Sequence, residues 1–83
     1  MTYFVYLIGN YKPGKLVTYA GYTNNVKKRV SLHNKGKGAK FTKGRRWKLI
    51  YYEKFKTKRE ALLREIYLKK NRKLRNKIIQ EYK

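Results

Sequence analysis

The spacing of apolar and polar positions changes several times along the 83 residues. Residues 3 to 9 (Tyr-Phe-Val-Tyr-Leu-Ile-Gly) form an apolar, β-branched and aromatic run closed by Gly9-Asn10, which predicts a strand. Lys12-Pro13-Gly14-Lys15 is a turn by composition. Leu16 to Tyr22 alternates weakly and is again rich in β-formers, so the first two strands are expected to pair as an antiparallel hairpin. Thr23-Asn24-Asn25 supplies N-cap residues, and a helix is expected from there to about Asn34. Val26 and Val30 share its inward face, while Asn25, Arg29 and His33 form a second stripe at spacings of four. Trp47 to Phe55 reads as a third strand, on which Tyr51 and Tyr52 point to opposite sides, so at least one belongs to the core. Thr57-Lys58-Arg59-Glu60 is a capping box. The helix it opens carries Ala61, Leu62, Glu65, Ile66 and Leu68 at helical spacing to about Lys70. A last helix, roughly 72 to 82, has Leu74, Ile78 and Tyr82 on one stripe with Ile79 beside them. The order ββαβαα predicts an α+β fold, a small three-stranded antiparallel sheet flanked by helices. Neither a repeat nor a boundary interrupts it, so residues 1–83 are read as one domain.

Composition adds a partner to this picture. A chain this short builds one small core, and without cysteine it has no disulfide to help. Thirteen aromatics, nine of them Tyr, bury much area per position while keeping a polar end available. The net charge is +20 and uneven: Lys12 and Lys15 are the cations before residue 27, and the other 22 follow. Such density points to a polyanion, nucleic acid first. A solvated, lysine-rich surface is the bland alternative, since Lys outnumbers Arg 17 to 7. No apolar run approaches the ~20 residues that span a bilayer, and the N-terminus lacks a basic-then-apolar signal pattern. The expectation is therefore a soluble cytoplasmic protein without a membrane partner, monomer or weak dimer left open.

The strongest local basic signal is the stretch 35–46, with three glycines and the cations Lys35, Lys37, Lys40, Lys43, Arg45 and Arg46. These six are the expected phosphate-tracking edge. Phe41 and Trp47 beside them either stack on an unpaired base or cap the core beneath a solvated loop, and the sequence weighs the two evenly.

Five polar residues stand out for chemistry: Tyr6, Tyr19, Arg29, His33 and Glu65. Singly, each has an ordinary explanation. The tyrosines pack a small core, His33 is an exposed helix histidine, Arg29 is one cation among 24, and Glu65 pairs with Lys69 at i+4. Jointly they suit cleavage of a phosphodiester with one divalent metal. Hydrolysis needs an activated water, charge stabilisation at phosphorus and help for the leaving oxygen. An arginine offers phosphate a fork of donors. One glutamate is adequate for Mg²⁺ or Mn²⁺, hard ions that keep most of their water. With no Asp and only Glu53, Glu60, Glu65 and Glu81, the choice of ligand is short. A tyrosine acts as base only if its pKa falls, and cationic surroundings push in that direction, with Lys27 or Lys28 the cations considered for Tyr19.

In this order the residues resemble the GIY-YIG nuclease family, in its compact stand-alone bacterial form. Phe4-Val5-Tyr6 stands where the GIY triplet falls and Tyr19-Ala20-Gly21 where YIG falls. Arg29 and His33 follow as on the family's first helix, and Glu65 sits in a segment similar to its metal-binding helix. The run from Leu32 to Arg46 is the most specific part, and the likeness extends from residue 3 to about 72. The resemblance implies a DNA endonuclease, of a superfamily that includes repair enzymes, with Tyr19 as general base or water-orienting group and Tyr6 beside it. It implies Arg29 on the scissile phosphate, His33 in proton transfer or phosphate orientation, and Glu65 on Mg²⁺ or Mn²⁺. Asn71 and Asn76 fall in no alignable motif and receive no role. Nothing resembles a sequence-reading module, so structure-selective or nonspecific cutting is expected. The alternative is a basic module, ribosome-associated among other possibilities, that holds DNA or RNA with little cleavage.

Overall fold

A computed structural model describes residues 2–81. It contains β1 (Tyr3–Lys12), β2 (Lys15–Thr23), α1 (Val26–Asn34), β3 (Lys48–Phe55), α2 (Lys58–Lys70) and α3 (Arg72–Glu81). The expected ββαβαα order and α+β class are found. The hairpin strands run longer than expected, because pairing continues through Lys12↔Lys15, past the Gly9-Asn10 signal. Trp47 precedes β3 rather than opening it. Tyr82, placed on the last helix by its spacing, lies outside the described residues.

The three strands form one antiparallel sheet in the order β2-β1-β3. The central position of β1 explains its composition. Val5, Tyr6, Leu7 and Ile8 are all buried because both faces of this strand are covered. Val5 and Leu7 face Ala20, Ala61, Leu68 and Ile78, with Leu74 and Ile79 packed alongside, so α2 and α3 cover one side. Tyr6 and Ile8 face the other side, where Trp47, Val26 and Val30 close over them. Tyr51 joins the first cluster while Tyr52 remains exposed, as their opposite directions on β3 require.

Local chemistry sets the helix starts. Asn25 caps α1, its side-chain oxygen accepting from the Lys28 amide at 3.1 Å. Thr57 caps α2 by accepting from the Glu60 amide at 3.2 Å. The Glu60 carboxylate accepts from the Thr57 hydroxyl at 2.9 Å, a variant of the reciprocal box expected from the sequence. Asn71 is also a cap: its side-chain oxygen accepts from the Leu74 amide at the start of α3. On α2 the helical spacing is followed only in part, since Ile66 is exposed along with Leu63 and Tyr67.

The basic segment between α1 and β3 is tied down at several points. The Asn34 side chain accepts from the Trp47 amide at 2.6 Å and donates to the Trp47 carbonyl at 3.0 Å. Asn10 donates to the Arg46 carbonyl at 2.8 Å, and the Trp47 indole donates to the Thr42 carbonyl at 2.9 Å. These bonds fold the segment over the β1 face that carries Tyr6.

Candidate active site

Tyr6 and Gly21 are directly paired across β1 and β2, and this pairing makes room for a phenol. A Cβ on Gly21 would stand 2.4 Å from the Tyr6 hydroxyl oxygen, so only glycine lets the ring lie across the neighbouring strand. The group that approaches Gly21 is therefore Tyr6.

The Tyr6 hydroxyl meets His33 Nε2 at 2.7 Å. On the far side of the imidazole, Nδ1 meets the Thr42 hydroxyl at 2.8 Å, and that hydroxyl donates to the Ala39 carbonyl at 3.0 Å. The chain has one consistent proton assignment. With its own hydrogen spent on Ala39, Thr42 accepts from Nδ1–H, which leaves Nε2 as the acceptor for the Tyr6 proton. Gly38 seals the arrangement, since a Cβ there would stand 2.3 Å from Nδ1. His33 is 1 % exposed, against the exposed helix histidine that spacing alone suggested.

Electrostatics agree with this assignment. Burial pushes the Tyr6 pKa well up from 10.0; nearby Tyr19 and Glu65 add to the rise, and Arg29 opposes it without reversing it. Burial, then Arg29, lowers His33 below 6.5, so the imidazole is neutral near pH 7. The site therefore holds a protonated phenol on a neutral imidazole. A depressed tyrosine, expected from cationic surroundings, is not what Tyr6 becomes, because desolvation outweighs the cation.

Tyr6 opens into a pocket of about 440 Å³ that wraps the β2 edge of the sheet. Tyr19, Arg29 and Glu65 line it, joined by Lys58 and Asn24. Four of the five singled-out residues thus share one cavity, and the fifth, His33, stands behind Tyr6. Tyr19 lies edge-on to His33 with centroids 5.1 Å apart. The cation over the Tyr19 ring is Lys69 of α2, at 5.4 Å, whereas Lys27 lines a separate groove with Val26 and Tyr52. The turn from β2 into α1 carries Lys27 away from Tyr19.

The carboxylates sort by what already occupies them. Glu53 is gripped by Arg64 through Nε at 2.8 Å and Nη2 at 3.0 Å, and accepts from Tyr51 as well. Burial works against its ionisation, but those bonds prevail and hold it below the usual carboxylate range. Glu60 is engaged at the α2 cap. Glu65 faces the pocket with a side chain 15 % exposed and a loose partner, Lys69 at 3.9 Å. Among the described residues no three His, Cys, Asp or Glu cluster to hold a metal. The donors present fit a hydrated hard cation on one carboxylate, and do not form a closed cage.

The six loop cations do not line this pocket; Gly38 is the residue of their segment that does. Lys35, Lys37, Lys40, Lys43 and Arg46 are exposed, and Arg45 lies over Phe41. Sequence reasoning missed Thr42 and Lys58, and it read Gly38 as part of the phosphate-tracking loop rather than as a neighbour of His33. Thr42 carries no local mark, since its partner is reached only when the basic segment closes over α1. Asn76 lies away from the pocket, beside Arg72 and Gln80.

A buried Tyr–His–Thr chain opening on an Arg- and Glu-lined pocket, on a three-stranded sheet of this order, is the architecture of a nuclease-type domain. The GIY-YIG catalytic domain model matches residues 2–78, and the chain belongs to the GIY-YIG family. Among its relatives, the UPF0213 protein YazA of Bacillus subtilis is 57% identical over 65 residues, covering 76% of this chain and 66% of that one. A UPF0213 protein of Staphylococcus epidermidis is 47% identical over 81 residues, 95% of each chain. For four relatives from Bacillus and Clostridium, the match spans only 53% to 67% of their length. The solution NMR structure of a UPF0213 protein from Bacillus halodurans is 34% identical, with a TM-score of 0.51 over 100% of this chain and 86% of that one.

Proposed function

We propose that this protein is a metal-dependent endonuclease that hydrolyses phosphodiester bonds, in DNA rather than RNA, without sequence specificity of its own. The observation that carries this reading is the Tyr6–His33 hydrogen bond facing Arg29 and Glu65 across one pocket. The nuclease superfamily to which the chain belongs supports it.

The chain's own groups divide the work. A water hydrogen-bonded to the Tyr6 oxygen attacks phosphorus and gives its proton to that oxygen. Meanwhile the opposite P–O bond breaks, and its oxygen leaves with the electron pair and takes a proton from solvent. In the same movement the Tyr6 proton passes to His33 Nε2, so no free tyrosinate accumulates. The imidazolium keeps its Nδ1–H bond to Thr42, which fixes the ring throughout. Arg29 and Lys58 take the charge that develops on the phosphoryl oxygens. Tyr19, edge-on to His33 and in the same pocket, positions the attacking water. This moves the base role from Tyr19 to Tyr6, because the hydroxyl of Tyr6 is the one bonded to an acceptor for its proton. Glu65 would hold Mg²⁺ or Mn²⁺, which would supply positive charge to offset the negative charge of the reaction. We place its action in the cytoplasm, where a bacterial protein would meet DNA.

Nicking of supercoiled plasmid with Mg²⁺ or Mn²⁺ tests the reading. Arg29→Ala should slow nicking about 100-fold or more while DNA is still bound, and Glu65→Ala should abolish the metal dependence. Equal, metal-independent behaviour of wild type and both variants would sink it.

A further inference from the structure

Tyr19 borders two recesses. One is the pocket just described. The other, about 260 Å³ and open to solvent, is lined by Thr18, Tyr19, Ala20, Phe41, Lys69 and Arg75. Its most unusual wall is Phe41. This ring is 52 % exposed and belongs to neither core cluster, whereas Trp47, its companion in the sequence, is 3 % exposed and lies in the core. The even choice left by the sequence therefore splits between the two residues.

Phe41 lies nearly parallel to Tyr19, at 21° with centroids 6.1 Å apart. The Arg45 guanidinium stands 5.1 Å from the Phe41 centroid, and the Lys69 ammonium 5.4 Å from that of Tyr19. Arg75 reaches the same recess while its Nη1 donates to the Leu68 and Lys69 carbonyls at 2.6 Å each. Those bonds anchor the guanidinium and leave the rest of its fork for an anion. The recess thus combines an exposed aromatic surface with two cations at its rim.

We infer that this recess is a nucleobase subsite, which takes one unpaired base of the strand being cut. The base lies against the part of the Phe41 ring that Tyr19 and Arg45 leave exposed, and Lys69 and Arg75 hold the phosphate next to it. Shared lining by Tyr19 makes this nucleotide a neighbour of the scissile phosphate. A base within a continuous duplex has both faces covered by stacking, so only a flap, bulge, overhang or single strand offers one. Every base has such a face, which makes the subsite selective for structure and tolerant of sequence. The inference rests on the nuclease reading and deepens it by naming the substrate class.

The test uses 2-aminopurine as the unpaired base at the junction of a flapped DNA duplex, titrated with wild-type protein in EDTA so that cleavage does not intervene. Wild type and Phe41→Trp quench the fluorescence; Phe41→Ala and Phe41→Leu do not, and they bind the flap about tenfold more weakly. Affinity for a fully paired duplex of the same length changes less than about twofold in all variants. Phe41→Leu keeps the apolar contact with Trp47, so loss in both variants reflects the missing ring face rather than misfolding. Quenching retained by Phe41→Ala and Phe41→Leu, or equal binding of flap and duplex by wild type, overturns the subsite and leaves the nuclease reading intact. Failure of the wild type to bind any of these DNAs overturns both.

Discussion

Tyr6 and His33 are two titratable groups whose environment keeps both neutral at rest, which is the state the proposed relay requires. Burial, with Arg29 adding to it, lowers the His33 pKa from 6.5, which favours the neutral, proton-accepting imidazole. The sign for stability follows directly. A folded pKa below the unfolded one means that the contribution is fully present above 6.5 and is lost as pH falls through the lowered value. The thermal midpoint of the wild type should therefore drop across this acidic window, and that of His33→Gln should drop less. Cleavage should fall over the same window, since protonated Nε2 accepts nothing. Identical pH profiles for the two proteins would remove His33 from the account. The hydroxyl contributes separately: Tyr6→Phe leaves Nε2 buried without a donor, a cost of about 1–3 kcal/mol that chemical denaturation can measure.

The elements carry these side chains into register through positions that hold no chemistry themselves. Gly21 on β2 and Gly38 in the basic segment press against the phenol and the imidazole from opposite ends of the relay. Gly38→Ala is the sharper test, since its Cβ falls 2.3 Å from Nδ1 and must push the ring off Tyr6 or Thr42. Misplacement on this scale should cost on the order of 100-fold in cleavage with DNA affinity retained. Unchanged cleavage by this variant would mean that the His33 position is not critical. Much at this scale was legible in the sequence: the strand run of β1, the Asn25 and Thr57 caps, and the Tyr6, Tyr19, Arg29, His33, Glu65 set. The parts that were not legible depend on chain closure. Thr42 becomes a partner only when its segment folds back over α1, and the burial of His33 follows from the same closure. Spacing placed His33 beside Arg29 on one stripe, but it had no means of indicating that the basic segment would cover one and leave the other facing the pocket.

For the whole molecule, charge and site are arranged separately. None of the Lys35 to Arg46 cations lines the pocket, so they are expected to set affinity, and the pocket to set chemistry. Each phosphate neutralised releases counterions, and binding should weaken steeply with salt. Replacing Lys37, Lys40 and Lys43 together by Gln should reduce the slope of log K against log salt by about 3, with saturated cleavage rates nearly unchanged. A slope that does not move would place the DNA path elsewhere on the surface. Among the described residues no helix is long and apolar enough to cross a membrane.

The central claim is that Tyr6, backed by His33, moves the proton from water during phosphodiester hydrolysis. Single-turnover cleavage of a flapped DNA at saturating protein, with Mg²⁺ or Mn²⁺ present, tests it most directly when wild type is compared with Tyr6→Phe. Tyr6→Phe should bind the DNA with unchanged affinity and cleave it about 10²- to 10⁴-fold more slowly. Cleavage by Tyr6→Phe at the wild-type rate, or no cleavage by the wild type with either metal, would contradict the account.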